Sequence, residues 1–305
     1  MGAKFLFMLY FFIMPLQGLA RLRKRNWILF ISMILMWGSN WTVMKVGVKF
    51  VGPLNFVMQR FFLGLIVLLP ILLFRGKKIP RDSKVWFNLC ILSFVQAAWV
   101  SFTNIGLMYE SSGLSSLLTY TQPLFVFCLA VLFLKERVGI IKVIGIMIGF
   151  LGVAVLYAGR ISFSVNVFNS SLFFLILGAF LWAVTVIYYK KFLSNVDPVL
   201  VNIVQFFLGF AVIFAMVLMF EGLTFSVSPL YIFAVLYASI FGSAVASTIW
   251  LILIREEEAT IVSASSLVVP VTASLFGLVF LGEVIDAISL LGFIVTLTGV
   301  YLVNK

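Results

Sequence analysis

Between Trp27 and Val303 the chain alternates ten long apolar stretches with short polar connections. In the first half they run Trp27–Phe50, Leu54–Phe74, Val85–Met108, Ser115–Leu134 and Val138–Ala158 (spans 1 to 5). In the second half they run Ser171–Tyr189, Val199–Phe220, Leu230–Ile254, Ile261–Leu281 and Ala287–Val303 (spans 6 to 10). About 20 apolar residues cross the roughly 30 Å hydrocarbon core of a bilayer as a helix. Lipid offers no hydrogen bonds to an open backbone, so each stretch is expected to be helical. The pattern predicts an all-α polytopic membrane protein with ten transmembrane helices.

The pattern also repeats. Offset by 145 residues, Trp37, Lys45 and Pro53 fall on Trp182, Lys190 and Pro198. At the same offset Phe61, Phe62, Leu63 and Gly64 fall on Phe206, Phe207, Leu208 and Gly209. Offset by 147, Pro123, Phe133 and Glu136 fall on Pro270, Phe280 and Glu283, and Gly145 and Gly152 on Gly292 and Gly299. Each half holds five spans, and an odd number inserts the second copy upside down. Two inverted five-helix repeats follow, 27–158 and 171–303, joined by a Ser- and Asn-containing linker, 159–170. Inverted repeats mark secondary transporters that bind substrate near the midplane. An N-terminal apolar and basic segment, 1–26, precedes them. Its apolar part, 5–20, is short, contains Pro15 and is followed by RLRKR. That order is unlike a secretory signal. The segment reads as a poorly ordered or interfacial element outside the repeat; the alternatives are an extra short helix, a signal-like segment or a start codon placed too early.

Composition agrees. The 305 residues are 64% hydrophobic and 10% charged, with a mean hydropathy of +1.23. The net charge of +11 would suit nucleic acid, but the charges are not placed for it. Most Lys and Arg fall in connections on one side: Arg21 to Arg25, Arg75 to Lys84, Lys135 to Lys142, Lys190, Lys191, Arg255 and Lys305. Lys45, Lys49 and Arg160 fall on the other. That is the positive-inside pattern. It predicts a cytoplasmic membrane protein with both ends of the ten-helix core cytoplasmic, and no nucleic-acid partner. Cys90 and Cys128 lie inside spans and read as packing residues, with no metal spacing.

Pro123 and Pro270 fall inside spans 4 and 9, where proline frees a carbonyl and bends a helix. A packing kink is the ordinary reading; the symmetric placement also suits a hinge. Gly145, Gly149 and Gly152 in span 5 suit close helix packing, within the chain or in a homo-oligomer.

Polar residues inside spans are costly and are candidates for function. Trp37, Asn40 and Trp41 share one face of span 1, and Gln96, Trp99 and Thr103 one face of span 3. Ser116, Thr119, Tyr120 and Pro123 line span 4, and the repeat maps them onto Ser263, Ser266, Leu267 and Pro270. Gln96 and Thr103 map onto Ser243 and Trp250; Trp182 and Thr185 continue the pattern in span 6. Any one such residue is ordinarily a hydroxyl bonded to its own helix or an interfacial aromatic. Whole faces that recur outline an aromatic, amphipathic cavity. Arg60 is the basic residue inside span 2, and its repeat partner is neutral Gln205. It either caps carbonyls or snorkels, or it meets an anionic group of a substrate. The chain has no histidine and no mid-span carboxylate. That removes the usual triads, His metal sites and His proton relays. Glu136 and Glu283, at span ends, are the best titratable candidates for proton coupling; passive or exchange transport fits the residues at least as well. No cofactor is expected.

The phrases WGSNWTVMKVG, RFFLG and QPLFVFCLAVLFLKERV, with the second-half echo VPVTASLFGLVFLGEVI, closely resemble the EamA-type repeat of the drug/metabolite transporter superfamily. The resemblance covers about residues 27–303. It implies ten helices, alternating access, a central cavity lined by spans 1 to 4 and 6 to 9, and spans 5 and 10 as scaffold. It also implies export of amino acids, other metabolites or drugs. The expectation is a secondary transporter of small organic metabolites such as amino acids. Its expected substrate-binding residues are Asn40, Arg60, Gln96, Trp99, Thr103, Tyr120, Trp182, Ser243, Trp250 and Ser266, with kinks at Pro123 and Pro270. The rivals are a multidrug or lipid exporter and a non-transporting scaffold or receptor. A membrane enzyme is disfavoured by the missing catalytic groups.

Overall fold

The computed structural model describes residues 24–75, 80–110, 112–158, 170–281 and 287–304. The segment 5–20, most of the linker, Glu283 and Asp286 lie outside the described residues. All regular structure among the described residues is helical. Spans 1, 2 and 3 are Lys24–Gly47, Pro53–Arg75 and Ser83–Tyr109. Spans 5, 7 and 10 are Ile140–Ala158, Pro198–Phe220 and Ala287–Asn304. All end within a few residues of the apolar stretches, because the same hydrocarbon thickness sets both. Prolines start spans 2, 7 and 8, where the missing N–H has no partner to lose. Asp82 and Asp197 accept from Lys84 N and Val199 N to cap spans 3 and 7. Among the described residues, eight helices are long and apolar enough to cross a membrane, and spans 5 and 10 contain shorter apolar helices.

Three spans depart from a plain α-helix, apart from widened turns at the ends of spans 4 and 6. Span 4 is Ser112–Thr119 and Gln122–Leu129, broken at Tyr120 and Thr121. Span 9 is Ala259–Ser265 and Val268–Leu281, broken at Ser266 and Leu267. The breaks lie just before Pro123 and Pro270. A proline ring collides with the carbonyl four residues earlier, and three-residue hydrogen bonds replace the lost ones. Thr121 N donates to Leu118 O and Leu267 N to Ala264 O. Span 8 runs Pro229–Tyr237, then a wide π-helical stretch, Ala238–Val245, then Ala246–Glu256. Its repeat mate, span 3, is unbroken α-helix.

Hydrogen bonds make the inversion visible. Lys45 Nζ, near the end of span 1, donates to the carbonyls of Leu107, Met108 and Glu110 at the end of span 3 (2.7, 3.2 and 2.5 Å). Lys190 Nζ, near the end of span 6, donates to those of Ile254, Arg255 and Glu257 at the end of span 8 (2.7, 3.1 and 2.7 Å). Every partner is the other's repeat mate. Ser171 Oγ donates to Glu110, and its mate Asn26 donates to Glu257, each at 2.7 Å. Asn26 and Lys45 sit at opposite ends of span 1, some 28 Å apart at the α-helical rise. The two clusters therefore close opposite faces, here named the Lys45 face and the Lys190 face.

Helix packing obeys the same two-fold relation. Span 2 packs on span 7, span 5 on span 10, and the contact of span 3 with span 6 is matched by that of span 8 with span 1. Phe61 and Phe206 meet at 5.1 Å between centroids. A side chain at Gly64 would strike Phe206, and one at Gly209 would strike Phe61, so the two FFLG phrases interlock reciprocally. Gly145, Gly149 and Gly152 face Thr296, Gly299 and Val303 of span 10. In this chain the small-residue face is used internally.

Candidate functional site

Four tryptophans from spans 1, 3, 6 and 8 meet at the centre of the bundle. Trp182 is the hub. It stacks on Trp99 at 5.2 Å and 13°, and meets Trp37 at 5.6 Å, Trp250 at 5.5 Å and Tyr120 at 5.6 Å. Trp37 and Trp250 lie 5.3 Å apart. Such ring contacts add to the burial of large apolar surfaces. Trp37 Nε1 donates to Gly242 O at 3.1 Å, a carbonyl in the π-helical stretch of span 8. Trp99 Nε1 donates to Gln96 Oε1 at 2.8 Å.

A cavity lies on each side of this aromatic layer. The one toward the Lys45 face has a volume of about 80 Å³. Asn40, Arg60, Gln96, Trp99, Thr103, Tyr120, Trp182 and Ser243 all line it. The one toward the Lys190 face has a volume of about 30 Å³ and is lined by Thr185, Tyr189, Gln205, Ser247, Trp250 and Leu251 among others. Trp37, Gln96, Trp99, Trp182 and Ser247 belong to both walls. At these volumes the cavities hold a few water-sized molecules.

The two cavities are repeat mates. Asn40, Met44, Arg60, Thr103 and Asn104 of the first correspond to Thr185, Tyr189, Gln205, Trp250 and Leu251 of the second. The backbone builds the same pocket twice, once toward each face, and the side chains then differ. Trp250 and Tyr189 fill space that Thr103 and Met44 leave open, which accounts for the smaller second volume. Even the polar contacts are paired: Arg60 reaches Ser243 Oγ at 2.9 Å, and their mates, Gln205 and Gln96, meet at 3.4 Å.

The first wall carries polar atoms that lack a hydrogen-bond partner in the protein. They are Asn40 Oδ1, Arg60 Nε, Thr103 Oγ1, Asn104 Oδ1 and Thr119 Oγ1, all buried. Arg60 is 6% exposed. Its other contacts are the Met44 sulfur at 3.0 Å and the face of Phe56 at 5.6 Å. Among the described residues no carboxylate lines either cavity or pairs with it.

Two expected site residues lie elsewhere. Trp250 is on the second cavity and in the aromatic layer. Ser266 reaches neither cavity: it sits in the break of span 9, and its hydroxyl donates to Ser263 O at 2.6 Å. Among the described residues no other span 9 side chain lines either of these two cavities. Its polar groups are engaged locally: Thr260 with Glu136, Ser265 with Asn304 and Ser263 with Gln122. Glu136 accepts from Ala259 N, Thr260 N and Thr260 Oγ1 at 2.9, 3.3 and 2.7 Å. It caps the start of span 9, remote from both cavities. Asn104 and Ser247, unremarked in the sequence, do line the site. Both are polar residues one turn from cavity positions, which is a signal the sequence held. Gly242 also lines it and carried no such signal.

A family model described as the EamA-like transporter family matches residues 24–158 and, a second time, residues 169–305. The chain is 27% identical over 288 residues to a WAT1-related chloroplastic protein of Arabidopsis thaliana, covering 92% of this chain and 69% of that protein. It is 25% identical to YoaV of Bacillus subtilis, named an uncharacterized transporter, covering 89% of this chain and 94% of that one. It is 28% identical to YedA of Escherichia coli, named an uncharacterized inner membrane transporter, covering 90% and 88%. A solved crystal structure aligns with a TM-score of 0.80 at 19% identity, covering 92% of this chain and 96% of that chain. That last likeness is one of fold.

Proposed function

The chain belongs to the EamA-like transporter family, and on that premise we propose that it is a secondary transporter of small organic metabolites such as amino acids, working by alternating access. The observation that carries this reading is the doubled cavity: one pocket built twice by inverted repeats, with an aromatic layer between the copies. Rocking of 27–158 against 171–303 would enlarge one copy while closing the other. The breaks before Pro123 and Pro270 would absorb part of the bend. Trp37, Trp99, Trp182 and Trp250 would enclose the apolar body of the cargo. Asn40, Gln96, Thr103, Tyr120 and Ser243 would orient its polar end. The excess of Lys and Arg in the connections toward the Lys190 face supports a cytoplasmic position for that face, in a cytoplasmic membrane. Exchange or facilitated movement fits the site at least as well as proton coupling, because no carboxylate lines either cavity among the described residues. The same feature weighs against a dedicated exporter of cations.

The test is flux in liposomes. Trp182→Ala and Gln96→Ala should each lower transport at least tenfold while the purified protein keeps its elution profile and most of its melting temperature. Normal flux in both variants would refute the proposed path. Thermal-shift screening against amino acids, nucleosides, sugar phosphates and lipophilic cations supplies the cargo for that assay.

A further inference from the structure

We infer that the pocket toward the Lys45 face is an anion site, and that the cargo is a monocarboxylate with an apolar or aromatic body. This rests on the transporter reading above and narrows it. Three observations carry it. Arg60 is buried on the cavity wall, and its acceptors are a thioether and a hydroxyl, both neutral. A guanidinium remains protonated in proteins, so its charge is unmatched there. Its Nε has no partner in the protein, which leaves a donor for a carboxylate oxygen. Thr119 Oγ1 on the same wall is also unpartnered and can donate to the second oxygen or to a hydroxyl on the cargo.

Charge balance selects among cargos. A buried charge is tolerated when it is paired. One arginine facing no carboxylate is balanced by a ligand of net charge −1. A zwitterionic amino acid brings an ammonium that finds amides and hydroxyls in place of a counter-charge. A phosphate dianion brings one negative charge too many for a single arginine. The tryptophan layer supplies the apolar surface against which the remainder of the acid lies. The repeat supplies the control: the mate of Arg60 is Gln205, in the same backbone setting at the second cavity. Glutamine therefore fits this architecture, and Arg60→Gln removes charge without removing the fold.

The experiment is equilibrium binding to the purified full-length chain, read by quenching of its tryptophan fluorescence and by calorimetry. The probes are 3-phenylpropionate, 3-phenylpropanamide, L-phenylalanine, 3-phenylpropylamine and phenyl phosphate. The acid should bind tightest, and Arg60→Gln should weaken it about 10- to 100-fold, the range of a charge-assisted hydrogen bond, while leaving the amide unchanged. Arg60→Lys should keep the preference for the acid at reduced affinity. Equal binding of acid and amide, tighter binding of phenylalanine or phenyl phosphate, no saturable binding of the acid, or indifference to Arg60→Gln would each overturn the inference. Liposome flux of another solute that survives Arg60→Gln would leave the transporter reading standing. Tight acid binding without flux would do the reverse.

Discussion

Gly242 is where span 1 presses closest on span 8. A methyl group there would overlap the Asn40 amide, and Gly242 O receives the Trp37 indole N–H. Overpacking a fitted contact costs about 1–3 kcal/mol. Gly242→Ala should therefore lower the melting temperature by several degrees and weaken ligand binding. Asn40→Ala in the same chain should restore part of the melting temperature by making room. A Gly242→Ala protein that melts with the parent would disprove the close fit. Much of the site was legible at this scale. Trp37, Asn40 and Trp41, and Gln96, Trp99 and Thr103, share helix faces by spacing alone, and all six line the first cavity. Ser266 lies off both cavities although its repeat partner Thr119 lines the first; repeat position fixes backbone placement, but a hydroxyl in a helix break can turn to its own carbonyls.

Among the elements, spans 5 and 10 depend most on the absence of side chains. A side chain at Gly299 would run into the backbone of Gly145 and Gly149, and one at Gly152 into Thr296. With no hydrophobic drive between helices in lipid, such close packing carries the association. Gly299→Val should reduce the yield of monodisperse protein severalfold and lower its melting temperature well beyond any change in Gly139→Ala, where nothing lies within 4 Å. Size-exclusion and melting profiles decide it, and equal behaviour of the two variants would contradict the packing. The sequence announced these glycines, the ten spans and the proline breaks, because each is a direct answer to lipid or to a missing N–H. It did not announce the π-helical stretch Ala238–Val245. Nothing in ASIFGSAV sets it apart from an ordinary apolar helix, and the contacts it makes with Trp37 and Asn40 of span 1 are not written in its own residues.

For the whole molecule, the twin lysine clusters place equivalent closures at opposite faces. Lys45 ties span 1 to span 3, and Lys190 ties span 6 to span 8. Each cluster lies within one repeat, and charge-assisted hydrogen bonds of this kind are worth about 1.5–3 kcal/mol each, enough to hold the helix ends of that repeat together at one face. Lys45→Met should raise labelling of a cysteine placed by Thr103→Cys, and Lys190→Met that of one placed by Thr185→Cys, in a background with Cys90 and Cys128 replaced. The same response at both sites to either change would show that the clusters are passive staples. The inverted repeat was visible in Lys45 and Lys190 as aligned letters. What they bind was not, since both donate to backbone carbonyls that no side-chain pattern records. The pairing of spans 5 and 10 has a further consequence, for the order of assembly. During synthesis the glycine face of span 5 is complete by residue 152, yet most of the surface it fits arrives with the helix Ala287–Asn304. Throughout that interval a newly inserted chain carries an uncovered, adhesive stripe in the bilayer. A chain lacking Ala287–Asn304 would keep that stripe open in the bilayer.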